Sequence, residues 1–158
     1  MFSEMLGNVT QGRGLFHGKR AADVGKLVVR LAMAAVFINH GWPKLANLGQ
    51  TVSFFGKIGI PAPGFFGPFV GVVEVLGGVM LAVGLLSSFW GVALAIDMVV
   101  AIISTKLSGS MPFSFNKMEL DLMMLVTSLL MAIEGAGVYA IDALRRAKKP
   151  VPVAPPVV

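Results

Sequence analysis

The sequence predicts an all-α polytopic membrane protein, a bundle of four transmembrane helices with both termini in the cytoplasm. Three observations predict it. Hydrophobic residues make up 56% of the 158-residue chain and charged residues only 13%, against ~25% charged in a typical soluble domain. Mean hydropathy is +0.82. Four apolar stretches recur along the chain, each near the ~20 residues that a helix needs to cross a ~30 Å hydrocarbon layer. A soluble globule of this size would need more polar surface, and a disordered chain far less apolar content. The stretches do not alternate apolar and polar residues as the strands of a β-barrel do.

The elements follow in order. Residues 1–23, with Gly7, Gly12, Gly14 and Gly18 among scattered polar groups, are expected to form a flexible basic cytoplasmic arm. Residues 24–145 hold the four-helix transmembrane domain, and residues 146–158 a basic and then proline-rich disordered tail. The first span covers Gly25–Trp42. It begins late, is interrupted by Arg30 and lacks a cleavage site, so it is expected to stay as a helix rather than act as a signal peptide. Pro43 should end or kink it. In Ala46–Gly64, Val52, Phe54, Phe55, Ile58 and Ile60 alternate with Gly, Ser and Lys ahead of Pro61 and Pro63. That pattern predicts a short amphipathic segment lying in the membrane interface. The remaining spans are Phe65–Leu86, Phe89–Leu107 and Leu120–Ala140. Ser108–Lys117, with Met111, Phe113 and Phe115 around Pro112, reads as a second interfacial loop.

Charge sets the orientation. Four Lys or Arg lie within Arg13–Lys26 and four within Arg145–Lys149, while the longer loops hold Lys44, Lys57, Lys106 and Lys117. The positive-inside rule then places both termini in the cytoplasm. Basic residues that flank apolar runs are a topology signal rather than a nucleic-acid footprint, so no nucleic-acid partner is expected. The chain has no cysteine, which excludes disulfides, thiolate metal sites, iron–sulfur clusters and persulfide chemistry within it. Its two histidines are His17 and His40, too few for a zinc enzyme or a bis-histidine haem. Met123, Met124 and Met131 read as packing residues. No metal site is expected.

The informative residues are the ionisable ones within the spans, since each costs roughly 2.5–3.5 kcal/mol at a helix centre on insertion scales. Counting ~1.5 Å per residue puts Arg30, Glu74 and Asp97 in the middle half of the bilayer, where they could meet as a buried polar cluster. Gly67, Gly71, Glu74 and Gly78 share one helical face, and Ala93, Asp97 and Ala101 offer a matching one. Such a cluster is either an ion-pair lock or a ligand or proton site. A second constellation lies toward the outer side. His40 and Lys44 stand one turn apart, and Glu119 and Asp121 begin the fourth span at the same level. These four could shape a mouth for a quinone ring, or Lys44 and Trp42 could simply anchor the helix at the interface. Glu134 falls near the cytoplasmic boundary, within reach of water.

Several motifs then occur in order. Arg30-Leu31 precedes Asn39-His40-Gly41-Trp42-Pro43-Lys44-Leu45, and Gly59-Ile60-Pro61 lies in the first loop. Val73-Glu74-Val75-Leu76-Gly77-Gly78 leads to Gly84-Leu85, Glu119-Leu120 opens the last span, and Gly135-Ala136-Gly137-Val138-Tyr139-Ala140-Ile141-Asp142 closes it. Together they resemble the signature of the DoxX family over about Arg30–Asp142. Ala140 stands where that family usually has serine, and the N-terminal arm and proline tail fall outside the likeness. The resemblance implies a four-helix protein of the bacterial inner membrane. Some members of the family are subunits of thiosulfate:quinone oxidoreductase, and others act with enzymes of thiol and oxidative-stress handling. Sulfur chemistry has no cysteine here to carry it.

The reading that results is an integral membrane component of a bacterial redox system, quinone-linked and acting with partner proteins. If it is catalytic, it is so as a membrane oxidoreductase subunit. No covalently bound cofactor is expected; the electrons would come through a redox-enzyme partner, and the chain could also self-associate. The alternatives are a non-catalytic membrane anchor or scaffold subunit, and a small proton-coupled transporter.

Overall fold

The computed structural model describes residues 19–107 and 115–147. Most of the expected N-terminal arm, the middle of the second loop and the tail beyond Ala147 lie outside the described residues. Among the described residues all regular structure is helical. The elements are α1 (Lys19–Ala46), α2 (Leu48–Lys57), α3 (Pro63–Val83), α4 (Ser87–Ile102), α5 (Phe115–Glu134) and α6 (Ile141–Ala147). A π-helical turn, Ile103–Leu107, extends α4.

Each long helix buries one stripe. On α1 it is Arg30, Met33, Ala34, Phe37 and Gly41, and on α5 Met124, Ser128 and Met131, the three-and-four spacing of a single helical face. Met33, Phe37, Leu81, Leu94, Met98, Met124 and Met131 meet as the core. The outward faces are apolar as well. Val28, Leu31, Phe65, Val72, Phe89, Ile96, Val126 and Ile133 are all exposed. An apolar surface of this extent has no favourable contact with water and fits a lipid surround. Two stretches, Pro63–Val83 and Ser87–Thr105, are long and apolar enough to cross a membrane.

The packing is pairwise: α1 lies mainly on α3, α4 mainly on α5, and the two pairs meet along a slighter seam. Glycines set the α1–α3 register. A Cβ on Gly78 would come within 3.0 Å of the Ala34 carbonyl, and one on Gly71 within 3.0 Å of Leu45 Cγ. The small-residue face of α3 therefore closes on α1 and α2, not on the Ala93–Asp97–Ala101 stripe whose spacing it matches.

The structure sharpens three further expectations. Pro43 does not end α1, which runs on to Ala46 with Pro43 inside it. The Pro43 carbonyl accepts the Asn47 amide at 3.0 Å, so the chain passes to α2 through Asn47 alone. The amphipathic segment is α2, and it buries Thr51 and Phe55 against α3 rather than only lying on a surface. The last apolar stretch is helical only to Glu134, because Gly135 (φ 69°) and Gly137 (φ 76°) take left-handed backbone. The segment that follows leads into α6.

Candidate functional site

The sequence brings α1 and α3 close at one place above all. A Cβ on Gly41 would stand 2.8 Å from Glu74 Cβ and 2.9 Å from the Gly71 carbonyl, so only glycine fits there. That approach sets His40 and Lys44 beside Glu74. Lys44 Nζ pairs with Glu74 Oε2 and donates to the His40 carbonyl at 3.2 Å. The Glu74 side chain is 3% exposed and that of Lys44 25%, so the ammonium meets a carboxylate that is almost wholly withdrawn from the surface. Thr51 Oγ1 donates to the Lys44 carbonyl at 3.0 Å and ties α2 to this end of α1.

From α4, Asp97 interacts with Glu74, and it also feels Asp121 on α5. Asp97 Oδ2 is buried and has no hydrogen-bond partner. Asp121 is half-buried and engaged. These side chains surround a cavity of about 370 Å³, within the ~300–1,000 Å³ of small-molecule pockets. His40, Lys44, Glu74, Asp97 and Asp121 supply its polar groups, and Phe37, Phe55, Ile58, Met98 and Met124 its apolar wall. Thr105, on the π-helical turn, also lines it. The two constellations of the sequence thus share one cavity, with two members left out.

Those two are Glu119 and Arg30. Glu119 is exposed and does not line the cavity. Arg30 is 1% exposed but stands elsewhere. Its Nη1 donates to the Ala136 carbonyl at 2.6 Å, and its Nη2 to the carbonyls of Tyr139 at 2.6 Å and Ala82 at 3.3 Å. The reason is register. Gly41 is level with Glu74, and Arg30 lies eleven residues earlier, about 16 Å along the helix axis. Counting from the ends of apolar runs put the three charges in the middle half of the bilayer, but Arg30 is level with Ala82 at the end of α3, eight residues beyond Glu74. Arg30 clasps the end of α3 and the segment between α5 and α6, and forms no centre with Glu74 and Asp97.

Around that clasp the Gly135–Asp142 motif is absorbed by structure. Asp142 Oδ1 and Oδ2 accept the amides of Leu86 and Ser87, each at 3.0 Å, at the start of α4. Lys26 pairs with Glu134 at 2.8 Å. A more open recess of about 590 Å³ lies here, between Ser87, Glu134, Asp142 and Arg146. Its carboxylates already serve the fold, so the smaller cavity is the better candidate. The sequence reading missed the contribution of α2. Thr51, Phe55 and Ile58, all buried, have helical spacing, and that was the signal for an inward face. No group of three or more His, Asp or Glu among the described residues is placed to hold a metal ion.

Comparison with known proteins agrees over most of the chain. The DoxX family model matches residues 25–107. The "Putative oxidoreductase CatD" of Bacillus subtilis (strain 168) is 33% identical over 123 residues, covering 78% of this chain and 88% of that protein. The "Uncharacterized membrane protein Rv3486" of Mycobacterium tuberculosis is 35% identical over 139 residues, 81% of this chain and 84% of the relative. The "Inner membrane protein YqjF" of Escherichia coli (strain K12) is 32% identical over 133 residues, 82% and 98% of the two chains. No solved structure matches.

Proposed function

The chain belongs to the DoxX family of membrane proteins, and from that premise we propose that it is a quinone-linked component of a redox system in the bacterial inner membrane. In this reading α1, α3, α4 and α5 span the bilayer with both termini in the cytoplasm, and a partner protein supplies the electrons. One observation carries the reading: a single cavity within the bundle gathers His40, Lys44, Glu74, Asp97 and Asp121 under an apolar wall. A bound quinone supplies reversible uptake of electrons and protons.

The residues present suit such a headgroup. Lys44 Nζ has three N–H donors, of which the His40 carbonyl and Glu74 take two. The third is left for a carbonyl oxygen in the cavity, and the His40 ring is a further candidate donor. Asp97 Oδ2, buried without a partner, is placed to accept an O–H. A donor for a carbonyl and an acceptor for a hydroxyl are what the oxidised and reduced forms of one ring require. Glu74 and Asp97, side by side in the cavity, can exchange a proton between them. The Bacillus relative's name points in the same direction.

The test is gentle extraction of the tagged protein from its native membrane, followed by mass spectrometry of everything retained. The expected result is a stoichiometric redox protein together with quinone, and loss of the quinone in His40→Ala while the protein stays folded. A partner without quinone would instead make the chain an anchor subunit. Neither one, with pH-dependent flux in liposomes, would make it a transporter.

A further inference from the structure

The polar cavity has a second wall, toward the lipid. Asp97 lines both that cavity and a separate groove of about 330 Å³ between α3 and α4, and so do Val70 and Val100. The rest of the groove is apolar: Phe66, Phe69, Val73, Ala93 and Ile96. Phe66, Phe69, Ile96 and Val100 are exposed on the outer surface of the bundle. Nearer the α3–α4 turn the helices close tightly, since a Cβ on Gly77 would stand 3.0 Å from Leu94 Cδ2. Toward the Phe66 end the slighter seam between the two helix pairs leaves the groove.

We infer that this groove is a lateral portal, through which the apolar tail of a membrane quinone lies between α3 and α4 while its ring occupies the polar cavity. The inference rests on the quinone reading and adds where the ligand enters and which residues hold its tail. Two features select this occupant. The groove is continuous with the polar cavity through three shared residues, so one molecule can fill both. Asp97 is the one polar residue in the groove, and its Oδ2 is unpartnered. A lipid acyl chain alone would leave that carboxyl against hydrocarbon. A molecule with a polar head at Asp97 and a long tail beyond it satisfies both halves.

The experiment uses the full chain in nanodiscs with two probes: the tail-less ubiquinone ring, and a decyl-tailed ubiquinone carrying a diazirine at its tail end. Labelling that excess unlabelled decyl-ubiquinone competes away should map to Phe66–Val73 and Ala93–Val100. In Ala93→Trp, which fills the groove without touching the polar cavity, competed labelling should fall by about tenfold while affinity for the tail-less ring stays within about twofold. Competed labelling elsewhere on the bundle, or unchanged in Ala93→Trp, overturns the portal; ring binding to the same sample shows that the quinone reading survives. No competed labelling and no ring binding by the wild type overturns both. If Ala93→Trp fails to fold, the labelling map of the wild type decides alone, with Phe69→Ala, which removes one wall, expected to weaken competed labelling as well.

Discussion

Lys44 and Glu74 show how much one residue can depend on another. Glu74 is nearly enclosed, and Lys44 is its salt-bridge partner. Removing one member of a fully buried pair costs ~3–5 kcal/mol. Because Lys44 keeps a quarter of its exposure, Lys44→Met should cost less, about 2–3 kcal/mol. Adding Glu74→Gln should recover most of that loss, and a double-mutant cycle on thermal unfolding in detergent checks it. Equal and additive losses would show that the pair is not coupled. Arg30 answers to a different set of groups, the carbonyls of Ala82, Ala136 and Tyr139. Arg30→Met should therefore destabilise by about 3 kcal/mol or more, since bonds from a charged donor are worth ~1.5–3 kcal/mol each. Arg30→Lys should restore little, because an ammonium lacks the planar fork. Ring binding by whatever folds should be unaffected, which separates this clasp from the cavity.

At the scale of elements, the α1–α3 contact and the α3–α4 turn are the two joints that position the cavity. Gly84 ends α3 at φ 71° and accepts the Asp142 amide at 3.0 Å. A Cβ there would come within 2.5 Å of Ala140 Cβ and 2.9 Å of Arg30 Nη1. Gly84→Ala should therefore cost more than the ~1 kcal/mol of left-handed strain alone, read as a lower Tm. The Asp142 carboxylate caps the start of α4, so Asp142→Ala should cost about 1–2 kcal/mol, and Asp142→Asn less. The family's serine at position 140 would put a hydroxyl against Gly84; here Ala140 is buried and fills that place with a methyl group.

For the whole molecule the open prediction is topology. The chain has no cysteine, so single introduced thiols report cleanly. Gln50, on α2, and Ser88, in the first turn of α4, are both exposed. With four spans and cytoplasmic termini, Gln50→Cys should react with a membrane-impermeant maleimide added to spheroplasts, and Ser88→Cys only after lysis. The reverse pattern would invert the molecule, and labelling of both from outside would remove the four-span arrangement. The cavity, lined by Phe54 and Phe55 of the same helix as Gln50, would then lie toward the periplasm.

Much of this was legible from residues alone. Composition and apolar run length dictate an all-helical chain with an apolar exterior, because a bilayer or a core is the only place for so much hydrocarbon. The ionisable residues inside the spans stood out because such groups are costly there, and five of the seven singled out line one cavity. What one-dimensional counting could not supply was relative height. Helix register depends on where backbones touch, and Gly41 against Glu74 leaves Arg30 about 16 Å along the helix from the carboxylates. Nor could periodicity say which neighbour a small-residue face would meet, since a face has a direction only once the bundle closes. The sequence by itself determined an all-helical chain of the DoxX family and picked out the ionisable residues within its apolar stretches. Tertiary packing alone decided that Lys44, not Arg30, answers Glu74, because an ion pair forms between residues at one level of the bundle whatever their distance from the ends of their helices.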